Sequence, residues 1–371
     1  MANNNIEGFA NSMAAIIRHC TLMPDKPLRW TIIANPTAGG FTIRKRRALH
    51  DKHLEESIRK NSTKPLRKDA APSQSSLNQS GINGLIPTTG AKHAQRITES
   101  LIKEIDGTAF HLIITSGGDG TSLEVLSTLY HAPAGVRSSC VVLRLPMGTG
   151  NDGADAWELN HALDLLIEPA VIDLARAVRL STSTPGKGPF YAFNVLSVGL
   201  DAFVTHNTNK MKGNLPGDSY KLWVDLASLF YDRIYKVGPM EIEAFDEAGK
   251  NVQSLKQNTL LMAMGPTGHR TYGSHNWVLP DDRNVCVIRQ MSVFRKIVMK
   301  EQISIGTHID KPESTVFNAH RIEFKGKYPI LAQMDGETVL INPEDYPAVM
   351  ELTEPVIPIL QDSSGRDWRR R

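Results

Sequence analysis

The stretch Ile114–Leu126, ITSGGDGTSLEVL, decides the fold of the N-terminal half of the chain. An apolar run ends abruptly at Gly117 and Gly118, and a helix-like apolar pattern begins just beyond Thr121. The same order returns where the run SSCVVLRLP leads into the loop MGTGNDGADAW. Strands that alternate with helices in this way form parallel sheets with crossover helices. We therefore predict an α/β domain with a Rossmann-like parallel sheet.

Length and charge set the outer limits. The chain has 371 residues, of which 41% are hydrophobic, and a single hydrophobic core stops growing at about 250 to 300 residues. Two domains are therefore expected. The net charge of +3 comes from 42 basic and 39 acidic residues, a balance that gives no sign of a nucleic-acid partner.

The cysteine pattern and the hydropathy indicate a compartment. Cys20, Cys140 and Cys286 are far apart and form no CxxC or zinc-type spacing, so neither a disulfide framework nor a structural zinc site is expected. No apolar run reaches the roughly 18 residues of a membrane span, and the N-terminus lacks the order of a signal peptide. We expect a cytoplasmic protein.

Four segments follow from the patterns along the chain. Residues 1–27 are predicted to be a helical extension whose apolar face packs on the protein, its members being Ile6, Phe9, Ala10, Met13, Ile16 and Ile17. Residues 28–168 are the α/β domain, and a polar stretch at 61–84 is predicted to be a mobile insertion.

The C-terminal half changes character. Many short β-type runs with turn signals between them occupy residues 169–350, and one helical pattern at 217–235 interrupts them. This organisation is typical of an antiparallel β-sandwich or barrel. Residues 351–371 form a C-terminal segment with a basic tail.

The glycines of GGDGT predict a phosphate-binding loop. We expect Gly117, Gly118 and Gly120 to adopt positive φ and to let the backbone approach a ligand, while a helix from near Ser122 points free N–H groups at it. Asp119 would repel polyphosphate unless a divalent cation lay between them, which implies Mg²⁺. The alternative is a glycine-rich turn with a capping aspartate.

GTGND, at Gly148–Asp152, repeats the pattern after the next strand. Two such loops at neighbouring parallel strands are where an open α/β sheet binds nucleotides. Asp152 alone could merely cap the following helix. No GxxxxGK[ST] motif occurs, so the nucleotide is not bound by a P-loop. The basic run Arg44–Arg47 could reach phosphates, or could form a solvated helix face.

AQMDGETVLI, near the C-terminus, is ambiguous. Asp-Gly between apolar runs is a strong hairpin signal, so Asp335 and Gly336 could simply form a turn. Asp335 and Glu337 could also supply a general base.

Together these motifs resemble the diacylglycerol kinase catalytic family, which includes bacterial lipid kinases and sphingosine kinases. The resemblance rests on NPTAGG, PTTGAKHA, GGDGT, GTGND, SVGLDAFV and DGE, in that order, from about Leu28 to Leu340. It implies an ATP-dependent and Mg²⁺-dependent lipid kinase of phospholipid metabolism. Such an enzyme transfers the γ-phosphoryl group to the hydroxyl of a diacylglycerol-like or sphingosine-like acceptor.

The resemblance also implies roles for individual residues. Asp335 would take the proton from the lipid hydroxyl, with Glu337 beside it, and Asp282 would bind a structural magnesium ion together with Leu279 and Asn284 through their carbonyls. The nucleotide would be lined by Asn35, Thr37, Thr88, Gly117, Gly118, Asp119, Gly120, Thr121, Glu124, Gly148, Thr149, Asn151 and Asp152.

Three departures from the family pattern stand out. Leu123 replaces an asparagine before the glutamate, Asp155 replaces an arginine after GTGND, and Arg283 replaces a glycine after Asp282. They leave room for other functions. NAD kinase shares GGDGT, phosphofructokinases share GGDG-type loops, and a non-catalytic nucleotide or lipid binder would tolerate the substitutions.

The partners follow from the implied reaction. We expect a lipid substrate at the membrane surface and transient membrane association, to which the tail from Arg366, including Trp368, could contribute. A frayed, solvated tail is the alternative. The identity of the lipid and the oligomeric state stay open, a homodimer being one alternative.

Overall fold

The computed structural model describes residues 2–69, 82–211, 231, 236–273 and 275–363. The chain forms two compact units, one of residues 1–175 with 355–371 and one of residues 176–354. The observed border at 175/176 lies later than the predicted border at 168/169. The reason is that the strand after residue 169 still belongs to the first sheet.

The first unit alternates strands and helices as the sequence predicts. Its strands up to this border are β1 Leu28–Ala34, β2 Gly84–Pro87, β3 Phe110–Gly117, β4 Cys140–Pro146 and β5 Ala170–Ala175. Its helices are α1 Ala2–Ile17, α2 Gly39–Thr42, α3 Arg44–Asn61, α4 His93–Glu104, α5 Asp119–Tyr130, α6 Ala134–Arg137 and α7 Leu159–Ile167.

The second unit is mostly β-structure. Its strands are β6 Val178–Ser181, β7 Phe190–Ala192, β8 Leu196–Gly199, β9 Pro239–Phe245, β10 Asn251–Met264, β11 Arg270–Tyr272, β12 Asn276–Leu279, β13 Val285–Arg289, β14 Ser314–Phe317, β15 Arg321–Gly326, β16 Ile330–Met334, β17 Glu337–Ile341 and β18 Ala348–Leu352. The described helices are α8 Leu200–Met211 and α9 Val293–Ile305, with 3₁₀ turns at Thr307–Asp310 and Pro343–Asp345.

A late strand returns to the first unit. β19, Ile357–Asp362, lies between β4 and β5, so the sheet order is β2-β1-β3-β4-β19-β5. The pairings are parallel except for that of β5 with β19. Residues 351–371, predicted to form a separate C-terminal segment, therefore include a strand of the first sheet.

The core of the first unit explains why its strands are apolar throughout. β3 and β4 are buried along their whole length, as expected for parallel strands with both faces covered. The six apolar residues of α1 named above are all buried in the same core. The predicted N-terminal extension is thus an integral part of the first unit.

One long strand shapes the second unit. The first part of β10 pairs with β9, and its last part, from Thr259, pairs with β13 and, from Leu261, with β8. The strand thereby links two antiparallel sheets whose alternate apolar side chains share one core. The predicted antiparallel β-sandwich is confirmed.

Several predicted segments fall outside the described residues: 70–81 of the predicted insertion, the helical pattern at 217–235 apart from Tyr231, and the basic tail. The described start of the insertion is anchored. Arg67 donates hydrogen bonds to the carbonyls of Leu22 (2.5 Å) and Lys26 (2.8 Å). Among the described helices, none combines the length and apolarity required to cross a bilayer.

Candidate active site

The loops that follow β1, β3 and β4 meet at one edge of the first sheet, because the carboxyl ends of parallel strands lie on the same side. The N–H of Asn35 donates to the carbonyl of Ser116 (2.9 Å), and the N–H of Gly40 donates to that of Met147 (2.8 Å). Asn35 Oδ1 accepts from both the N–H and the hydroxyl of Thr37. The NPTAGG segment is therefore fixed against the other two loops.

The GGDGT glycines do not adopt the predicted positive φ. Gly118 has a φ of −90°, and Gly117 and Gly120 are not among the positive-φ residues of the described chain. Space is the requirement instead, since a Cβ on Gly117 would lie 2.4 Å from Thr121 Oγ1. Because glycine has no side chain, β3 can lead directly into α5. This helix begins at Asp119, and not near Ser122 as predicted.

GTGND packs directly on GGDGT. A Cβ on Gly148 would lie 2.6 Å from the Cα of Gly118 and 3.3 Å from the carbonyl oxygen of Gly117. Asn151 takes the left-handed conformation, with a φ of 60°, and its Nδ2 donates to the carbonyl of Pro146 (3.1 Å). The two loops form one backbone surface at the N-terminus of α5, where the helix dipole favours an anion.

Two carboxylates lie at this surface. Asp119 Oδ1 accepts a hydrogen bond from the N–H of Gly153 (3.0 Å), which holds the aspartate of one loop against the other. Asp152 is buried, with 6% of its surface exposed. One or two carboxylates beside phosphates are the usual protein contribution to a magnesium–nucleotide site.

Thr88 and Glu124 support the surface from the side. The N–H of Thr88 donates to the carbonyl of Ala34 (2.7 Å). The carboxylate of Glu124 accepts from the N–H groups of Lys92 (2.7 Å) and Gln95 (3.2 Å), at the start of α4. Glu124 was predicted to line the nucleotide, and in this structure it fastens the PTTGAKHA segment to α5.

Asp155, one of the departures from the family pattern, forms an ion pair with Arg144, a residue that the sequence analysis did not single out. Asp155 accepts from the N–H (2.7 Å), Nε (3.0 Å) and Nη2 (2.5 Å) of Arg144 on β4. The two side chains are only 5% and 2% exposed. The only sequence signal was an arginine within an otherwise apolar strand. Leu123, the other departure in this unit, is 9% exposed and belongs to the buried side of α5.

In the second unit, Asp335 and Gly336 form the tight turn between β16 and β17. Their φ values are 47° and 98°, as a two-residue hairpin requires. The Asp335 carboxylate accepts from three successive N–H groups, those of Phe193 (2.5 Å), Asn194 (3.1 Å) and Val195 (3.0 Å). Asp335 is therefore both a turn residue and the anchor of the segment before β8.

A buried polar network lies directly below this turn. Gln333 accepts from the N–H of Gly336 (3.1 Å) and donates to Asp201 Oδ2 (3.0 Å), which also accepts from the Ser197 hydroxyl (2.5 Å). Gln333, Asp201 and Ser197 are each less than 5% exposed. Gln333 precedes Asp335 by two positions, and both side chains hydrogen-bond to the segment before β8. That spacing was the signal missed in the sequence. Glu337 is exposed.

The residues predicted to bind a structural magnesium ion lie between the end of β12 and the start of β13. The Asp282 side chain is 82% exposed, and its Oδ1 lies 3.1 Å from His269 Nε2. The carbonyl of Asn284 accepts from the N–H of Gly265 (2.9 Å). Leu279 is the last residue of β12. Among the three predicted ligands, only Asp282 has a carboxylate side chain.

Arg283, the third departure, pairs with an acidic neighbour in the same loop. Its guanidinium hydrogen-bonds to Asp281, which raises the pKa of Arg283. Across the described ranges, no three His, Cys, Asp or Glu side chains cluster closely enough to hold a metal ion.

Comparison with known proteins confirms the resemblance seen in the motifs. Residues 29–182 match the family model of the diacylglycerol kinase catalytic domain. A protein of Yersinia enterocolitica named "Probable lipid kinase YegS-like" is 33% identical over 126 residues, 32% of this chain and 39% of that protein. A namesake from Xanthomonas euvesicatoria is 32% identical over 127 residues, 33% of this chain and 40% of that protein. The match thus spans about two-fifths of these relatives.

A solved structure extends the similarity in fold. A crystal structure from Bacillus anthracis strain Sterne, provisionally assigned as a diacylglycerol kinase, aligns with a TM-score of 0.55 at 16% identity. The alignment covers 90% of this chain and 95% of the other. At this identity the similarity shows the fold alone.

Proposed function

We propose that this chain, whose residues 29–182 match the family model of the diacylglycerol kinase catalytic domain, transfers the γ-phosphoryl group of ATP to the hydroxyl of a diacylglycerol-like or sphingosine-like lipid. The observation that carries the proposal is the contact between GGDGT and GTGND. Gly148 lies so close to Gly118 that a Cβ would reach within 2.6 Å of its Cα. The contact creates a continuous backbone surface at a helix N-terminus, which suits the phosphates of a nucleotide.

The proposal assigns the acceptor and the base to the second unit. Asp335 accepts the proton of the lipid hydroxyl as that oxygen bonds to the γ-phosphorus. The bond between the γ-phosphorus and the bridging oxygen breaks, and ADP leaves with the electron pair. Gln333 and the amides of residues 193–195 keep the turn in one conformation, which supports the role of Asp335 as a positioned group.

Magnesium bound with the nucleotide would neutralise phosphate charge, and Asp119 and Asp152 are the carboxylates that would hold it. The residues of the loop at 279–284 have no part in this proposal. Asp119 keeps its place through the N–H of Gly153, so its position does not depend on the cation.

A lipid acceptor requires contact with a membrane, and α9 offers a suitable face. Phe294 is 83% exposed, and Ile297, Val298 and Ile305 are 50%, 43% and 52% exposed, at positions that share one side of the helix. Arg289 and Lys300 are exposed nearby, whereas Glu301 interrupts the apolar face. We propose that this face rests on the bilayer during catalysis by an otherwise cytoplasmic protein.

The deciding experiment is a kinase assay. Labelled ATP is offered with a panel of diacylglycerol, monoacylglycerol, phosphatidylglycerol, ceramide and sphingosine, with and without Mg²⁺. Label transfer to at least one lipid, dependent on Mg²⁺, is expected. ATP binding without transfer to any lipid would favour the non-catalytic binder, and transfer to NAD would favour the NAD kinase alternative.

Sedimentation with vesicles tests the membrane face. Phe294→Ser with Ile297→Ser is expected to lower both the bound fraction and the turnover of vesicle-borne lipid, while turnover of detergent-dispersed lipid persists. Val252→Ser, which changes an exposed apolar residue on β10, is the matched control. Equal binding of both variants would place the membrane contact elsewhere.

A further inference from the structure

The nucleotide loops lack the cation expected in their own sequence. Members of the family that this chain resembles usually carry an arginine after GTGND, where this chain has Asp155. Arg144 does not replace that arginine as a phosphate ligand. Its guanidinium is buried and hydrogen-bonded to Asp155 through two of its nitrogens, so the pair adds no net charge to the loop surface.

A different cation reaches the loops from α3. Arg46 Nη1 donates to the carbonyl of Gly148, at 2.7 Å. A Cβ on Gly39 would lie 3.4 Å from the same nitrogen and 3.5 Å from Thr149 Oγ1. The guanidinium therefore stands where NPTAGG and GTGND meet, beside the exposed hydroxyl of Thr149.

The environment of Arg46 leaves it able to bind an anion. The guanidinium is a planar group with several N–H donors, and it recognises phosphate with two parallel hydrogen bonds. The hydrogen bond to Gly148 uses Nη1. It leaves the positive charge of the guanidinium in place, because a carbonyl carries no net charge. Arg46 is half-buried, whereas Arg44 and Lys45 at the start of the same helix are exposed.

We infer that Arg46 is a phosphate-binding residue: it holds the GTGND loop through the Gly148 carbonyl and contacts the polyphosphate of the nucleotide. The inference rests on the proposed function, since it presumes that a nucleotide occupies the loop surface. It gives the basic run at Arg44–Arg47 a single functional member.

Calorimetric titration of the full chain with ATP, ADP, AMP and adenosine tests the inference. Arg46→Ala is expected to lower the affinity for ATP about 10- to 100-fold, the range for losing a charge-assisted hydrogen bond. The affinity for AMP should fall less. Arg46→Lys should recover part of the affinity, because it restores the charge without the planar fork. Arg44→Ala removes an equal charge from the exposed start of α3 and is expected to change ATP affinity less than about twofold.

The outcomes separate the two levels of inference. Wild-type protein that binds no ATP would refute the proposed function. If the wild type binds ATP and the Arg46→Ala variant binds it equally tightly, only the role of Arg46 would be overturned. Equal losses for ATP and adenosine would also overturn it, since they would show that Arg46 merely shapes the loops. Urea unfolding of each variant checks that Arg46→Lys remains folded if Arg46→Ala does not.

Discussion

The GGDGT and GTGND loops of the first unit and the Asp335–Gly336 turn of the second both depend on glycine, but for opposite reasons. Gly117 and Gly148 are glycines because a Cβ would collide with neighbouring atoms, at 2.4 Å and 2.6 Å. Gly336 has nothing within 4 Å of its Cβ position, and is required because its φ is 98°. The first region uses glycine to bring backbones together, and the second uses it to reverse the chain.

The difference extends to how each region presents its chemistry. In the first unit the backbone itself forms the proposed binding surface, and the side chains of Arg144 and Glu124 hydrogen-bond to the adjoining segments. In the second unit the proposed general base is a side chain, and backbone amides hold it. Substitutions should therefore damage the first region through shape and the second through lost chemical groups.

The largest effect is expected at Asp335. Asp335→Asn should lower kcat at least about a hundredfold, because the proposed general base is lost. It should also lower the free energy of unfolding by about 1–3 kcal/mol, because an amide NH₂ would face N–H groups that the carboxylate now accepts. Turnover and urea unfolding of the same sample measure the two losses separately.

Glu337→Gln is the matched control for that prediction. Glu337 is exposed, so its unfolding free energy should stay within about 0.5 kcal/mol of the wild type, with a much smaller loss of kcat. The reverse result, an active Asp335→Asn and an inactive Glu337→Gln, would transfer the role of base to Glu337.

The next effect concerns the contact between the two loops. Gly148→Ala should cost about 1–3 kcal/mol of unfolding free energy, the usual range for forcing an extra group into packed structure. Gly118→Ala should not, since its Cβ would lie 3.8 Å from the nearest atom, in ordinary contact. Gly118→Ala is nevertheless expected to lower the affinity for ATP about tenfold, because the methyl group would cover the proposed phosphate-binding surface of the two loops.

Denaturation and calorimetry of these two variants test the claim that shape governs the first region. If Gly118→Ala bound ATP like the wild type, the nucleotide would not lie on the surface between these loops.

A smaller effect is expected at Gly336. Gly336→Ala should cost about 1–2 kcal/mol, because an L-residue is strained at positive φ, and Gly336→Asn should cost less. Gly249, in the β9–β10 turn, has a φ of 77° and an equally open Cβ position. Gly249→Ala should therefore lose similar stability in denaturation experiments while turnover is unchanged. A loss of turnover in both variants would show that stability, and not the turn itself, limits the reaction.

The smallest effect is a pH dependence of stability that arises at His50, next to Arg46 and Gly40. Burial, followed by the charges of His53 and Arg46, lowers the pKa of His50 from 6.5 to about 4. The unfolded chain then takes up this proton first as pH falls, so the stability contributed by neutral His50 is complete above about pH 6.5 and is lost towards pH 4. The free energy of unfolding should decline across that window.

His50→Gln should flatten part of that decline. His161→Gln, which changes an exposed histidine of α7, should leave it intact. Denaturant midpoints at several pH values provide the measurement, and identical slopes for both variants would exclude His50 as the source.

The sequence allowed the fold class and the loop motifs to be predicted, since both depend on local patterns. Strand–glycine–helix order indicated the parallel sheet, and Asp335-Gly336 indicated the hairpin that the structure contains. The burial of α1 followed from helical spacing alone. In each case residues close in the chain carry the signal.

What escaped prediction depends on residues far apart in the chain. Glu124 meets the start of α4, Arg46 meets Gly148, and Asp335 meets residues 193–195. No local pattern contains these pairs. The expected positive φ in GGDGT was wrong because glycine has two uses, and only the three-dimensional neighbours of Gly117 show which one applies.

Strand β19 has a consequence for synthesis on the ribosome. Residues 357–362 fill the place between β4 and β5, so the sheet that carries GTGND keeps a gap until the whole second unit has been translated. The second unit, continuous from 176 to 354, can complete its pairings earlier. Domains usually mature in order from the N-terminus, and open strand edges invite aggregation. In this chain the unit that begins first is finished last, and the edges of β4 and β5 that β19 later covers stay unpaired until then.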